Sequence, residues 1–269
     1  MTRSANTDCD LGTPRASVSD ISASVEIRVM TYNILYGWRW EQALDLIQTC
    51  PADIIALQEV PDEQNPRGGA PASRILRDLE LPGFCAMLWG RGRDRIGNLT
   101  LVRGRIGGGA ILKVPWSRPY GIVNEVEVCG VRLTVANVHL TPMIGPPPLT
   151  FLPSEIWRLR ETLDLTRRSA PADGSSGQPV PGGGRPPVIA LGDFNTFRPA
   201  PACWVMHRGW GDCRGAAGGR YPATRPTYGL PFVIDHIFTR GDVAVLEYDV
   251  LDHGGSDHRA VFARLRLAS

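Results

Sequence analysis

The sequence has almost no lysine. Lys113 is the single lysine among 29 basic residues, so arginine supplies nearly all the positive charge. Arginine suits bidentate contacts with phosphate, although a bias in composition explains the same preference. Neither sign of charge is in excess, because 27 acidic residues leave a net charge of +2. Dedicated nucleic-acid binders carry a strong basic field, so this balance gives no support to that class without excluding it.

The chain also lacks a long hydrophobic run. No stretch reaches the length of a membrane span, and the first twenty residues contain no apolar segment of the kind that a secretion signal needs. We therefore expect a cytoplasmic protein. The six cysteines are scattered and form no C-x-x-C pair, which favours free thiols in a reducing compartment over a zinc site or a disulfide framework.

What the chain does contain is enough apolar material for a large core. With 269 residues and 43% hydrophobic content, it can fold as one large domain or two small ones. Residues 1–24 are polar and rich in turn formers, and we interpret them as a disordered amino-terminal tail. Residues 170–187, APADGSSGQPVPGGGRPP, read as a flexible loop or insertion.

Two parts of the sequence resemble each other. VMTYN at 29–33 matches VANVH at 135–139, and IIALQE at 54–59 matches VIALGD at 188–193. A helical pattern lies between the members of each pair: WEQALDLIQTC, which Pro51 stops, and SEIWRLRETLDLTRR, with a Ser154 cap and an apolar stripe. That stripe comprises Ile156, Leu159, Leu163 and Thr166. The pattern predicts two copies of a strand, helix, strand unit, with strands buried on both faces.

Polar side chains stand at or near the ends of these apolar strands. They are Asn33, Glu59, His139, Asp193, Asn195, Asp235, His236, Asp257 and His258. Charged groups beside buried strands are costly unless they pair with one another or hold a cation. The carboxylates of Glu59, Asp193 and Asp257, with the amides of Asn33 and Asn195, form an all-oxygen donor set. Such a set is preferred by Mg²⁺, for which Mn²⁺ can substitute, rather than by zinc.

In this order the motifs TYNI, LQE, Gly97-Asn98, NVHL, GDFN, IDHIF and SDH resemble the endonuclease/exonuclease/phosphatase superfamily of metal-dependent phosphohydrolases. The resemblance runs from about Val25 to Leu267. It implies an α+β fold, a four-layer α/β/β/α sandwich of two packed, mainly antiparallel mixed β-sheets with helices outside. It also makes residues 25–269 one catalytic domain, with the segment near 170–187 as a flexible insertion.

The resemblance implies roles for the metal and water side of the site. Glu59 is expected to bind the metal, with Asn33 beside it to orient the site, and Asp257 is expected to contact the same ion. Asp193 and Asn195 are expected to position the attacking water and to hold a non-bridging phosphate oxygen.

For the remaining residues, the resemblance implies that His258 is a general base or a phosphate contact. Asp235 is expected to orient it through a carboxylate–imidazole hydrogen bond. His139 is expected to stabilise the transition state or to protonate the leaving oxygen. Asn98 and Arg103 are candidates for substrate binding, and the connections VPWSRPYG and TRPTYGLP are expected to shape the substrate pocket.

Within the superfamily, His139 separates the chain from the AP endonucleases, which typically carry tyrosine there, and no W-T-D-R motif links it to the inositol polyphosphate 5-phosphatases. The resulting hypothesis is a phosphohydrolase that cleaves a phosphodiester or phosphomonoester by in-line attack of water. Its expected substrate is a small phosphorylated metabolite, nucleotide or lipid head group, and no obligate protein partner is evident. Two alternatives stay open: an intracellular DNA or RNA nuclease, and a non-catalytic binding module on the same fold.

Overall fold

The computed structural model describes residues 24–91, 93–142, 151–168, 186–227, 230–252 and 254–268. The expected amino-terminal tail, apart from Ser24, and the predicted insertion, apart from residues 186 and 187, lie outside the described residues. In the described parts, no helix is both long enough and apolar enough to cross a membrane.

The strands alternate with a smaller number of helices along the chain. The strands are β1 (Ser24–Asn33), β2 (Ile54–Pro61), β3 (Gly83–Trp89), β4 (Ile96–Val102), β5 (Arg105–Lys113), β6 (Pro119–Val128), β7 (Val131–His139), β8 (Val188–Asp193), β9 (Gly211–Asp212), β10 (Arg225–Thr227), β11 (Leu230–Phe232), β12 (Asp235–Arg240), β13 (Val243–Leu251) and β14 (Ala260–Ala268). The helices are α1 (Trp40–Thr49), α2 (Ala72–Leu79), α3 (Phe151–Arg168), α4 (Pro201–Gly209) and the short α5 (Cys213–Ala216), and a 3₁₀ turn covers Leu35–Gly37.

Two six-stranded sheets organise the molecule. The first has the strand order β13-β14-β1-β2-β4-β3, and the second has the order β5-β6-β7-β8-β12-β9. Strand β1 pairs in parallel with β2, and β7 pairs in parallel with β8. The other described pairings in these sheets are antiparallel. The two parallel pairs, joined through α1 and α3, confirm the two strand, helix, strand units predicted from the repeated motifs.

Three hydrophobic clusters fill the space between the layers. One lies between the sheets and includes Val29, Ile54, Val135 and Ile189. Another lies between the first sheet and α1 and α2, and includes Met30, Ile47, Ile55 and Ile75. The last lies between the second sheet and α3 and α4, and includes Ala136, Leu165, Ala190 and Met206. Successive residues of the central strands enter different clusters because side chains alternate across a strand. The four-layer sandwich is confirmed.

Helix α3 differs from its prediction in where it begins and which face it buries. It starts at Phe151, so Ser154 lies inside the helix and does not cap it. Ile156 and Leu163 of the predicted apolar stripe are 52% and 47% exposed. The buried face instead carries polar side chains, namely Ser154, Glu155, Arg158, Glu161, Thr162 and Asp164. Partnered polar groups tolerate burial, and Arg158 donates to Glu155 at 2.8 Å and to the Thr141 carbonyl oxygen at 3.1 Å.

Candidate active site

The repeated strands end side by side, and their last residues form the floor of the site. In the second sheet, His139 of β7 is in register with Asp193 of β8, and Asp193 is in register with Asp235 of β12. Lateral neighbours on adjacent strands lie about 5 Å apart. The sheet alone therefore brings one imidazole and two carboxylates together, and all three residues are buried.

His258 joins this row from the segment before β14. Its Nδ1 lies 3.0 and 2.9 Å from the two carboxylate oxygens of Asp235, and its Nε2 lies 3.7 Å from Asp193 Oδ2. Burial opposes the charged imidazolium, but Asp235 and then Asp193 outweigh that effect and raise the pKa of His258. The carboxylates therefore favour the charged imidazolium, in which Nδ1–H donates to Asp235 and Nε2–H is directed toward Asp193.

Asp193 is the hub of the cluster. Its Oδ1 accepts from the backbone N–H of Asn195 at 2.8 Å, and its Oδ2 accepts from Asn33 Nδ2 at 3.1 Å. His139 Nε2 lies 3.5 Å from the same Oδ2. Burial raises the pKa of Asp193, while His258 opposes that shift. The carboxylate thus receives hydrogen bonds from both halves of the fold.

Glu59 and Asn33 come from the first sheet. Pairing between β2 and β4 is irregular between Leu57 and Val60, and Glu59 has a φ of 56°, in the left-handed region. A non-glycine residue in that region is strained and is often found at functional sites. Asn33 Nδ2 donates to Glu59 Oε1 at 3.2 Å as well as to Asp193, so one amide spans the carboxylates of the two sheets. Burial raises the pKa of Glu59.

The segment 254–258 is fixed against β1. Ser256 Oγ donates to the Asn33 carbonyl oxygen at 2.7 Å and accepts from the His258 N–H at 3.1 Å. Gly254 allows the close approach, since a Cβ at this position would lie 2.1 Å from Tyr32 Oη. Asp257 is exposed, and its carboxylate pairs with Arg225 Nη2 at 2.8 Å.

Both candidates for substrate binding lie outside the cluster. Asn98 is 1% exposed between the sheets, where its Nδ2 donates to Asn137. Arg103 follows β4 at the end opposite to Glu59, and its Nε donates to the carbonyl oxygen of Ala52. Neither side chain is placed to touch a substrate at the cluster. Asn98 is enclosed between the sheets, and Arg103 lies at the end of β4 that is distant from Glu59.

The structure instead brings three residues to the site that were not singled out in the sequence. The Trp89 ring packs against His139 with centroids 3.9 Å apart, and the Arg118 guanidinium lies 4.1 Å from the centroid of Trp89. Arg225 lies by Asp257, and Asp193 and Glu59 also act on its charge. Arg118 and Arg225 belong to VPWSRPYG and TRPTYGLP, so the available signal was an arginine within each predicted pocket-shaping connection.

The donor set fits a hard divalent cation. Asp193, Asp235 and His258 offer ligand atoms within 4.8 Å of one another, but both oxygens of Asp235 already accept from His258. Glu59 is a better ligand, because its one hydrogen bond from a described side chain comes from Asn33 and no described cation forms an ion pair with it. Carboxylate and amide oxygens around Glu59 suit Mg²⁺.

One protein-family model matches part of the chain. The model of the Endonuclease/Exonuclease/phosphatase family matches residues 178–258, which contain GDFN, IDHIF and SDH. No curated protein is a significant sequence match to the chain.

Many solved structures share the fold. The human Nocturnin catalytic domain with bound sulfate anion is 19% identical, with a TM-score of 0.66 over 90% of this chain and 96% of that one. An endonuclease/exonuclease/phosphatase from Bacteroides vulgatus is 17% identical, with a TM-score of 0.67 over 90% and 98%. Truncated Caenorhabditis elegans TDP2 is 16% identical, with a TM-score of 0.64 over 89% and 97%. The chain thus matches the endonuclease/exonuclease/phosphatase family in sequence over residues 178–258 and shares its fold over about nine tenths of its length, which confirms the resemblance predicted from the motifs.

Proposed function

We propose that the protein is a Mg²⁺-dependent phosphohydrolase that cleaves a phosphate ester by in-line attack of water. The observation that carries the proposal is the His258–Asp235 pair, set against Asp193 and linked through Asn33 to Glu59. Phosphoryl transfer needs positioned groups and charge neutralisation more than covalent chemistry. This cluster offers both, since it combines a protonated imidazole, a buried carboxylate and a cation-binding carboxylate.

Each residue has a distinct role in this proposal. Glu59, aided by Asn33 and Asp257, would hold the metal ion, and a bound ion would supply neutralisation of phosphate charge. Asp193 accepts a proton from the attacking water, for which its raised pKa suits it, and Asn195 keeps that carboxylate in place through its backbone N–H. Because His258 is protonated, it donates from Nε2 to a non-bridging oxygen, and we assign it to phosphate binding rather than to the general-base role.

His139 and Arg225 complete the phosphate site. Burial, followed by the nearby positive charge of His258, holds the pKa of His139 well below its usual range. A neutral imidazole can donate one hydrogen bond to a developing oxyanion but has no extra proton to give, so we assign His139 to transition-state stabilisation. Arg225 Nε is buried and has no hydrogen-bond partner among the described residues, which leaves a donor for a phosphate oxygen.

The comparisons support the same class of reaction. The matched family contains endonucleases, exonucleases and phosphatases by its description, and the Nocturnin catalytic domain was solved with a sulfate, a tetrahedral anion. For the substrate we favour a small phosphorylated metabolite, nucleotide or lipid head group over a long polyanion, because the net charge is only +2.

The first test is hydrolysis of a bis-aryl phosphodiester and of the matching aryl phosphomonoester, with Mg²⁺ and with chelator. We expect chelator-sensitive turnover, and His258→Ala should lower kcat by about 10²-fold or more, as expected for loss of an acid–base or phosphate-binding imidazole. His207→Ala is the matched control, since His207 lies on α4 outside the cluster.

The outcomes separate the alternatives. Preference for the diester directs the search for the natural substrate to nucleotides and phospholipids, and preference for the monoester indicates a metabolite phosphatase. Cleavage of plasmid or single-stranded DNA without cleavage of small esters would favour the nuclease. Absence of turnover on every substrate, together with absence of Mg²⁺ binding in calorimetry, would contradict the proposal and favour a binding module.

A further inference from the structure

Arg118 is held by aromatic packing beside the proposed active site. It lies in the connection between β5 and β6, and its guanidinium packs on the Trp89 ring. Trp89 is fixed in turn, because its Nε1 donates to the Pro119 carbonyl oxygen at 2.9 Å while its ring packs on His139. The distances from the Trp89 centroid, 4.1 Å to Arg118 Cζ and 3.9 Å to the His139 centroid, place the guanidinium within about 8 Å of the imidazole, their sum.

One donor of this guanidinium has no acceptor. Arg118 Nη2 is inaccessible to solvent and makes no hydrogen bond with any described residue. The acid that acts on Arg118 is Glu161, but both of its carboxylate oxygens accept from Thr141, from Oγ1 at 2.7 Å and from the N–H at 2.9 Å. A buried N–H group without a partner costs free energy, so native proteins generally supply one, a bound ligand included.

The side of the site that Arg118 faces is set by its neighbours. In the row of His139, Asp193 and Asp235 on β7, β8 and β12, Arg118 reaches the His139 end through the Trp89 ring. Arg225 instead pairs with Asp257 at 2.8 Å, next to His258 at the Asp235 end. In the proposed reaction, Arg225 and His258 bind the scissile phosphate, and the developing oxyanion to which His139 donates is the leaving oxygen. Arg118 is therefore located beyond the leaving oxygen.

We propose that Arg118, held over the Trp89 ring, binds a second phosphate group carried by the leaving part of the substrate. This inference rests on the proposed function and narrows it to esters whose leaving group is itself phosphorylated, as in nucleotide-type molecules. Contact with the ring suits this role, because packing against an aromatic side chain restricts where the guanidinium can present its donors. A doubly contacted phosphate then satisfies the free Nη2 donor.

The test compares dithymidine monophosphate with the forms that carry one additional phosphate at the 5′ or the 3′ end. We expect the wild type to cleave one of the phosphorylated forms with a kcat/KM at least about tenfold above that of the unphosphorylated form, the gain typical of one charge-assisted hydrogen bond. Arg118→Leu should abolish that preference, measured as the ratio of kcat/KM for the phosphorylated and the unphosphorylated form within the same variant, so that any effect of the substitution on His139 cancels. Arg118→Lys should keep part of the preference.

The control is Arg208→Leu, which removes a guanidinium that lies at the same 4.1 Å from a tryptophan centroid, that of Trp204 on α4. This variant should leave kcat/KM for both the phosphorylated and the unphosphorylated form unchanged. An equal preference in wild type and Arg118→Leu, with both proteins folded and active, would overturn the inference while the proposed hydrolase stands.

Binding supplies a readout that does not depend on turnover. With Ca²⁺ in place of Mg²⁺, calorimetry should show that thymidine 3′,5′-bisphosphate binds the wild type at least about tenfold more tightly than thymidine 5′-monophosphate does, and that Arg118→Leu removes the difference. Equal affinities in the wild type would contradict the second phosphate position. If no substrate is hydrolysed but this difference in affinity is still observed, the proposed hydrolase activity would be contradicted. The second phosphate position at Arg118 would still be supported.

Discussion

At the scale of single residues, the charge state of each histidine follows from its immediate neighbours. His258 faces Asp235, Asp193 and Asp257, whereas His139 faces Arg118, Arg225 and the charged His258. The raised pKa of His258 suits it to be a charged donor to phosphate, and the lowered pKa of His139 suits it to be a neutral donor. The sequence predicted both residues as catalytic but left the role of His258 open between general base and phosphate contact, because its charge depends on carboxylates from separate strands.

Glu161 of α3 is a residue whose protonation should alter stability. Burial raises its pKa to about 7 from the ordinary value of 4.5, although hydrogen bonds from Thr141 oppose the shift. Between these pH values the folded state keeps a proton that the unfolded state has released, so the contribution of Glu161 to stability is largest below pH 4.5 and is lost as the pH rises toward 7. Glu161→Gln should therefore gain stability relative to the wild type as the pH rises.

The measurement is denaturant unfolding of both proteins at pH 5 and pH 8. The variant can keep its partner, since a glutamine amide accepts from the Thr141 N–H and donates to its Oγ1. Glu125→Gln, at an exposed position of β6, is the control and should show no such trend. A wild-type advantage over Glu161→Gln that grows between pH 5 and pH 8 would show that the carboxylate is stabilised in its charged form.

At the scale of elements, the strands were predictable and the buried face of α3 was not. IIAL, VIAL and the repeated motifs before them predicted strands that are buried on both faces and belong to strand, helix, strand units. Strands β1, β2, β7 and β8 have that arrangement, and each pair is parallel. The helix pattern failed in α3 because apolar spacing identifies a core face only when the core contact is apolar. Here Glu155, Arg158 and Glu161 take the inner face and hold the backbone around Thr141 and Ala202.

The same distinction applies to the residues of the site. Polar residues that end a strand, such as His139 and Asp193, were predictable because the register of a sheet aligns strand ends. Arg118 and Arg225 lie in or next to connections, and which way such a side chain points depends on packing between distant segments. Arg103 was a candidate on the basis of its distance from Gly97-Asn98 along the chain, but an antiparallel strand carries it to the opposite edge.

The turn before β14 depends on glycine at one position in particular. Gly254→Ala would place a Cβ 2.1 Å from Tyr32 Oη and 2.8 Å from Leu46 Cδ2, so the segment or Tyr32 has to move. Overpacking of this kind costs about 1–3 kcal/mol. We expect that loss in the free energy of unfolding, together with a lower kcat, because Asp257 and His258 follow directly.

Gly108→Ala serves as the matched control, since nothing lies within 4 Å of a Cβ at that exposed position. Denaturant unfolding and hydrolysis of the bis-aryl diester measure the two effects. An unchanged stability and rate in Gly254→Ala would show that the segment adapts freely and that its position does not set the site.

At the scale of the whole molecule, the site depends on the two sheets staying in register with each other. Strand β14 lies between β13 and β1, so removal of residues 254–269 takes an inner strand from the first sheet along with Asp257 and His258. Loss of hydrolysis in such a truncation would report unfolding as much as chemistry. Point variants at His258 separate the two causes.

Asn137 is the polar link between the sheets beneath the site. From β7 of the second sheet, its Nδ2 donates to the carbonyl oxygens of Leu57 at 3.2 Å and Leu99 at 3.1 Å in the first. Its Oδ1 accepts from Gln58 Nε2 and from Asn98 Nδ2, both at 2.9 Å. This network gives the buried Asn98 amide its hydrogen-bond partner. Asn137 lies two residues before His139, on the same face of β7.

Asn137→Ala should remove four hydrogen bonds from the buried network, each worth about 0.5–1.5 kcal/mol. Gln58 Nε2 keeps Thr31 and Ala56, and Asn98 Nδ2 keeps the backbone carbonyl oxygen of residue 137. We therefore expect a loss of roughly 3 kcal/mol or more in the free energy of unfolding, measured with denaturant. Thr134→Ala, on the same strand and partly exposed, should stay within about 0.5 kcal/mol. Because Glu59 and Asp193 stand on different sheets, the residual activity of folded Asn137→Ala should fall as well. A variant with the stability and rate of the wild type would show that apolar packing alone keeps the two halves of the site aligned.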